Sequence, residues 1–96
     1  MIIHTVLLSP REEITVDDIN LALQHVQTLQ NSIPALINVQ TGANLSTNHQ
    51  GYTYGFVMQF VDRDHFRGYA PHPAHYLVSE ELVRICDSII DFDIEQ

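Results

Sequence analysis

Residues Tyr52 to Val61 alternate so sharply that they decide the architecture around them. Tyr52, Tyr54, Phe56, Met58 and Phe60 fall on one side of an extended chain, with Thr53, Gly55, Val57, Gln59 and Val61 on the other. Successive side chains of a strand point to opposite faces, so this is a strand with material to bury on both. A sheet built on it needs cover on two sides, and 96 residues supply little beyond one layer of helices.

The flanking sequence supplies that layer. Met1 to Leu8 reads as a strand, with Ile3, Thr5 and Leu7 on one face and Ile2, His4, Val6 and Leu8 on the other. His4 therefore keeps apolar company. A helix follows Thr15, whose hydroxyl caps it with Asp18 at the capping-box position; its inward stripe is Ile19, Ala22, Leu23, Val26, Leu29 and Ile33, ended by Pro34. Ala35 to Thr41 is a second strand, and the Asn-, Ser- and Thr-rich segment from Gly42 to Gly51 is a loop before the alternating strand. Asp62 caps a short helical turn that reaches Tyr69. A longer helix starts at Pro73 and carries Ala74, Leu77, Val78, Leu82, Ile85 and Cys86 inward, with His75 on the flank of that stripe. Ser88 to Ile94 closes the chain as a strand in which Ile90, Phe92 and Ile94 alternate with Asp91 and Asp93. Asp87, Asp91 and Asp93 read as a solvated edge, and Glu81 is spaced to pair with Arg84.

The order β-α-β-β-α-β predicts a single α+β domain over residues 1–96. It is ferredoxin-like, a four-stranded antiparallel sheet with both helices on one face. The opposite face stays bare in a monomer, which predicts a homodimer packed sheet against sheet.

Charge narrows the partners. Twelve acids face four basic residues, all arginine, and the net charge of -8 opposes phosphate backbones and anionic lipid surfaces, so neither nucleic acid nor a membrane is an expected partner. With no lysine in the chain, a side-chain imine with a carbonyl substrate is excluded. The single cysteine, Cys86, cannot form an internal disulfide and reads as a small buried hydrophobe. A reducing, cytoplasmic setting is expected.

The segment Tyr69-Ala70-Pro71-His72-Pro73-Ala74-His75 gathers a phenol and two imidazoles at the start of the last helix. Such groups can move protons near neutral pH without metal or nucleotide. The structural alternative is that His72 caps the helix, Pro73 supplies its first residue and His75 is a satisfied core histidine. His72 and His75 also stand at i, i+3, a spacing that metal and haem sites use, but no cysteine or carboxylate cluster completes a ligand set, so neither metal nor cofactor is expected.

Several of these features together resemble the stress-responsive A/B barrel domain, or dimeric α+β barrel, family. They are Ile2-Ile3-His4-Thr5-Val6, the Ile33-Pro34-Ala35-Leu36 break, Gly51-Tyr52-Thr53-Tyr54-Gly55, and Tyr69 followed by His72-Pro73-Ala74-His75. The resemblance spans nearly the whole chain. It implies the same fold and sheet-to-sheet dimer and adds a cavity between sheet and helices. Plant members that look similar act as polyketide cyclases, closing a ring by intramolecular aldol condensation. Their working tyrosine and histidine match Tyr69 and His75, and their pocket-lining strand histidine matches His4. The family often has histidine after Gly-Tyr-Thr, where this chain has Tyr54, so the cyclase substrate does not carry over.

Two functions follow as expectations. In one, the protein is a cofactor-free acid-base enzyme, a cyclase or related lyase, acting on a small hydrophobic or carbonyl compound. His75 and Tyr69 are then catalytic, and His4, Tyr54, Phe56 and His72 bind the ligand. In the other it is a non-catalytic stress-associated homodimer or small-ligand-binding module in which Tyr69, His72 and His75 order the loop.

Overall fold

The computed structural model describes residues 1–96. Its elements are β1 (Ile2–Pro10), α1 (Val16–Thr28) continued by a 3-10 turn (Leu29–Asn31), β2 (Leu36–Ala43), β3 (Tyr54–Phe60), a short α2 (Arg63–Arg67), α3 (Pro73–Ile85) and β4 (Cys86–Glu95). The strands form one antiparallel sheet in the order β2-β3-β1-β4, with β1 and β3 in the centre. This is the α+β, ferredoxin-like arrangement expected from the element order.

Local chemistry sets the helices. The Thr15 hydroxyl accepts from the Asp18 backbone N–H at 3.1 Å, and the Asp18 carboxylate accepts from the Thr15 N–H at 3.4 Å, closing a capping box at the start of α1. The predicted stripe Ile19, Ala22, Leu23, Val26, Leu29 and Ile33 is entirely buried. It meets Ile2, Val6 and Leu8 of β1, Val39 of β2 and Phe56, Met58 and Phe60 of β3, the inner face of the sheet. Each such side chain contributes roughly 1.5–3 kcal/mol on full burial, which fixes which face the helices cover.

Element ends shift by one or two residues from the expected bounds, with reasons that are local. Ala35 adopts φ 62°, a left-handed turn that delays β2 to Leu36. Tyr52 and Thr53 belong to the loop, so β3 opens at Tyr54. The last helix passes into β4 with no loop between them, making Cys86 a strand residue; it is buried as expected, and burial pushes its thiol pKa up. Gly55 sits where β3 crowds β1, since a Cβ there would lie 2.6 Å from the Val6 carbonyl oxygen.

Three readings of the sequence need correction. Leu77 is 67% exposed, not inward: it lies on the side of α3 that faces His25 and Thr28 of α1, while Leu82 and Ile85 are the residues of α3 that are buried. Glu81 pairs across to His25 on α1 at 2.8 Å, not along its own helix to Arg84. The largest correction concerns β4. Antiparallel pairing puts Asp93 opposite His4 and Asp91 opposite Val6, so both carboxylates point to the helix side of the sheet, while on this edge strand both stay exposed to solvent as expected. Asp87, also exposed, forms an ion pair with Arg11 at 3.0 Å.

The complementary consequence falls on the outer face. Ile90, Phe92 and Ile94 of β4 turn away from the helices and are 43%, 60% and 37% exposed, beside Ile3, Leu7 and Val57 of the central strands. No helix is long and apolar enough to cross a membrane.

Candidate active site

Three turns in succession aim the polar groups. The Asp62 carboxylate accepts from the His65 N–H at 2.9 Å and starts α2; that hydrogen bond holds the Asp62 carboxyl below its usual pKa. The chain then turns through Tyr69 N–H to Phe66 O at 3.1 Å and His72 N–H to Tyr69 O at 3.0 Å. At the start of α3, His72 Nδ1 accepts from the Ala74 N–H at 3.1 Å, with Pro73 at the first helical position. His72 is thus the cap of α3.

His75 lies one turn further on, and its Nδ1 is 2.9 Å from the Ala70 carbonyl oxygen. A carbonyl only accepts, so Nδ1 carries the proton and Nε2 presents a lone pair. Its ring stands edge-on to Tyr69, with centroids 4.4 Å apart and planes at 63°.

Tyr69 is 5% exposed, wedged against Phe60 at 5.1 Å and His4 at 5.8 Å between ring centroids. Burial, reinforced by the negative charge of Asp91, pushes its hydroxyl pKa well above the ordinary tyrosine value. The group therefore stays a proton donor at neutral pH. His4, also buried, sits in a cage of Phe56, Phe66 and Tyr69. Its Nδ1 is hydrogen-bonded to the Asp93 carboxylate across the strand pair. A carboxylate hydrogen-bonded to one ring nitrogen fixes the tautomer and the orientation of the imidazole.

These groups converge on a cavity of about 540 Å³ between the sheet and α3. That volume suits a small organic ligand. The sheet contributes His4, Val6, Phe56, Ile89 and Asp91; α3 contributes His75, Val78, Ser79, Leu82 and Val83; Tyr69 stands between them. Of the residues expected from sequence, the structure brings Tyr69, His75, His4 and Phe56 onto one cavity. It leaves two outside: Tyr54 packs at the edge of the core and His72 is spent on its cap. Sequence reasoning missed Asp91 and Asp93. The signal available was strand parity, since outward Ile90, Phe92 and Ile94 send the intervening acids inward. No group of three or more His, Cys, Asp or Glu side chains converges as a metal-holding set.

A fixed imidazole with a free nitrogen, a neutral phenol beside it and a mostly apolar enclosure form an arrangement suited to proton transfer at a polarised oxygen. The profile of the stress responsive A/B barrel domain matches residues 2–96. The chain belongs to this family. It is 26% identical over 93 residues to a stress-response A/B barrel domain-containing protein of Arabidopsis thaliana, covering 94% of this chain and 81% of that one. A solved dimeric ferredoxin-like protein of unknown function from Jannaschia is 31% identical, with a TM-score of 0.86, covering 99% of this chain and 98% of that chain. The hydroxynitrile lyase of Passiflora edulis superposes with a TM-score of 0.88 over 97% of this chain and 90% of its own at 18% identity, a likeness of fold.

The Tyr69 environment has a measurable consequence in alkali. Its phenol is held neutral in the folded protein, so its contribution is complete below the unfolded tyrosine value of 10.0 and is lost as pH rises toward the folded one. Urea unfolding from pH 9 to 11 should show wild-type stability falling more steeply than that of Tyr69→Phe, by up to about 1 kcal/mol per pH unit above the unfolded value. Parallel pH profiles for the two proteins would contradict the assignment.

Proposed function

We propose that this A/B barrel domain protein is a cofactor-independent proton-transfer enzyme, a cyclase or related lyase, acting on a small carbonyl compound. The observation that carries the reading is the Tyr69–His75 pair, rings 4.4 Å apart on one cavity wall, with His75 Nδ1 tied to the Ala70 carbonyl. In this reading His75 Nε2 removes a proton from the carbon next to the carbonyl, and the Tyr69 hydroxyl donates to the oxygen as charge develops on it. His4, oriented by Asp93, lines the same wall as a second polar contact, and Phe56 supplies apolar surface. The existence of a hydroxynitrile lyase on this fold agrees with such chemistry, while the chain's own residues are what support it.

The runner-up is a non-catalytic ligand-binding dimer. The observation favouring it is that the same His75 nitrogen ties the first turn of α3 to the preceding loop, a structural task in itself. One experiment separates the two. Exchange of the α-hydrogens of a panel of small aryl and alkyl ketones in D₂O, followed by NMR, should be accelerated by the wild type. His75→Ala should lose about 10²–10⁴-fold and Tyr69→Phe about 10²–10³-fold of that acceleration. His75→Ala exchanging ketones at the wild-type rate, or a wild type without activity whose His75→Ala variant loses only stability, would favour the second reading.

We further infer that two copies associate through their outer sheet faces. The exposed row Ile90, Phe92 and Ile94 supports this, as do solved relatives described as dimeric. Phe92→Asp places a charge in the middle of that row and should convert a dimer to a folded monomer in light scattering. A wild-type monomer at high concentration, or a Phe92→Asp dimer, would contradict it.

A further inference from the structure

The cavity holds one charged group that the proton-transfer scheme does not use. Asp91 lines it from β4, on the same inner row as His4, and its register partner is Val6, an apolar side chain. Of the other acids on β4, Asp87 pairs with Arg11, Asp93 with His4 and Glu95 with Arg63. Asp91 has neither an ion pair nor a side-chain hydrogen bond.

Nothing in the cavity compensates it. None of the four arginines lines the wall. The two histidines that do are engaged elsewhere through Nδ1, His4 with Asp93 and His75 with the Ala70 carbonyl. Asp91 stays exposed to solvent where it lines the cavity, and a carboxylate there attracts a group that brings positive charge or a hydrogen-bond donor and repels a second carboxylate. Its field already acts across the cavity, since its charge is one of the two causes that keep the Tyr69 hydroxyl protonated. The same field adds to a chain of net charge -8, which draws cations toward the mouth.

We propose that Asp91 is a specificity-determining residue: it selects small apolar carbonyl compounds that carry a protonated amine, and it excludes carboxylates. This names the substrate class of the site above and rests on that reading of it. The amine would sit against β4 at Asp91, and the carbonyl oxygen would point across the cavity to Tyr69 and His75. Asp91 binds and orients; it takes no proton in the reaction.

Binding alone tests the proposal, independently of turnover. Three probes of matched shape are 2-phenylethylammonium, 2-phenylethanol and phenylacetate, titrated at pH 7 with perturbations followed at His4 and His75 by NMR. The wild type should bind the ammonium on the order of tenfold more tightly than the alcohol, with phenylacetate weakest. Asp91→Asn removes a group with no partner in the chain, so it should fold normally and bring the ammonium and alcohol affinities close together. Glu13→Gln removes the same charge from an exposed turn and should leave the preference intact. A preference that survives in Asp91→Asn, one lost equally in Glu13→Gln, or equal binding of ammonium and carboxylate by the wild type would overturn the proposal. If those results came with His75-dependent ketone exchange, the catalytic reading would stand without Asp91. If no probe perturbed His4 or His75, the cavity would not be a binding site and both would fall.

Discussion

The register of β4 against β1 is the constraint on which the rest of this molecule depends. Pairing Ile2 to Ser9 with Glu95 to Ser88 puts Asp91 and Asp93 on the helix side of the sheet and turns Ile90, Phe92 and Ile94 outward. A slip of one residue would exchange these two sets, because side chains on a strand alternate with period two. It would bury three large apolar groups where the cavity is and put two carboxylates on the outer face. The cavity's polar wall and the sheet's apolar outer surface are therefore two results of one pairing.

That pairing also explains how so small a protein keeps polar groups inside. A buried histidine costs free energy unless its hydrogen bonds are made, and His4 meets this cost with a carboxylate from the adjacent strand. His75, half-buried, donates to a backbone carbonyl five residues earlier, and every buried side-chain nitrogen or oxygen has a partner. In each histidine it is Nδ1 that is used. The remaining nitrogens, the Tyr69 hydroxyl and Asp91 have no partner in the chain, and all four residues line the cavity where a ligand would complete their hydrogen bonds. The cavity itself lies between Val6 and Phe56 of the sheet and Val78, Leu82 and Val83 of α3.

The fold was legible because its signals are local and strong. The capping box at Thr15, the 3.6-residue stripe of α1, the break at Pro34 and the two-residue alternation of β3 each specify an element without help from distant contacts. Tyr69 and His75 were legible as a pair because they lie six residues apart around a helix start. Asp91 and Asp93 were not, because their inward placement depends on a pairing with β1 some ninety residues away in the chain. The rule that apolar residues face in misleads at β4, where Ile90, Phe92 and Ile94 have a second surface to serve. Leu77 misleads for a related reason: a helical stripe shows which side faces the protein, but not which of its residues a neighbouring element covers.

The contact that holds His4 to Asp93 reports the β4 register and the polar wall together. Histidine-selective ¹⁵N–¹H correlation spectra read the tautomer of the ring. The structure predicts that His4 carries its proton on Nδ1, with a strongly downfield proton resonance that is lost or moved far upfield in Asp93→Asn while the backbone spectrum is retained. A His4 protonated only on Nε2, or an Nδ1 proton indifferent to Asp93→Asn, would contradict it.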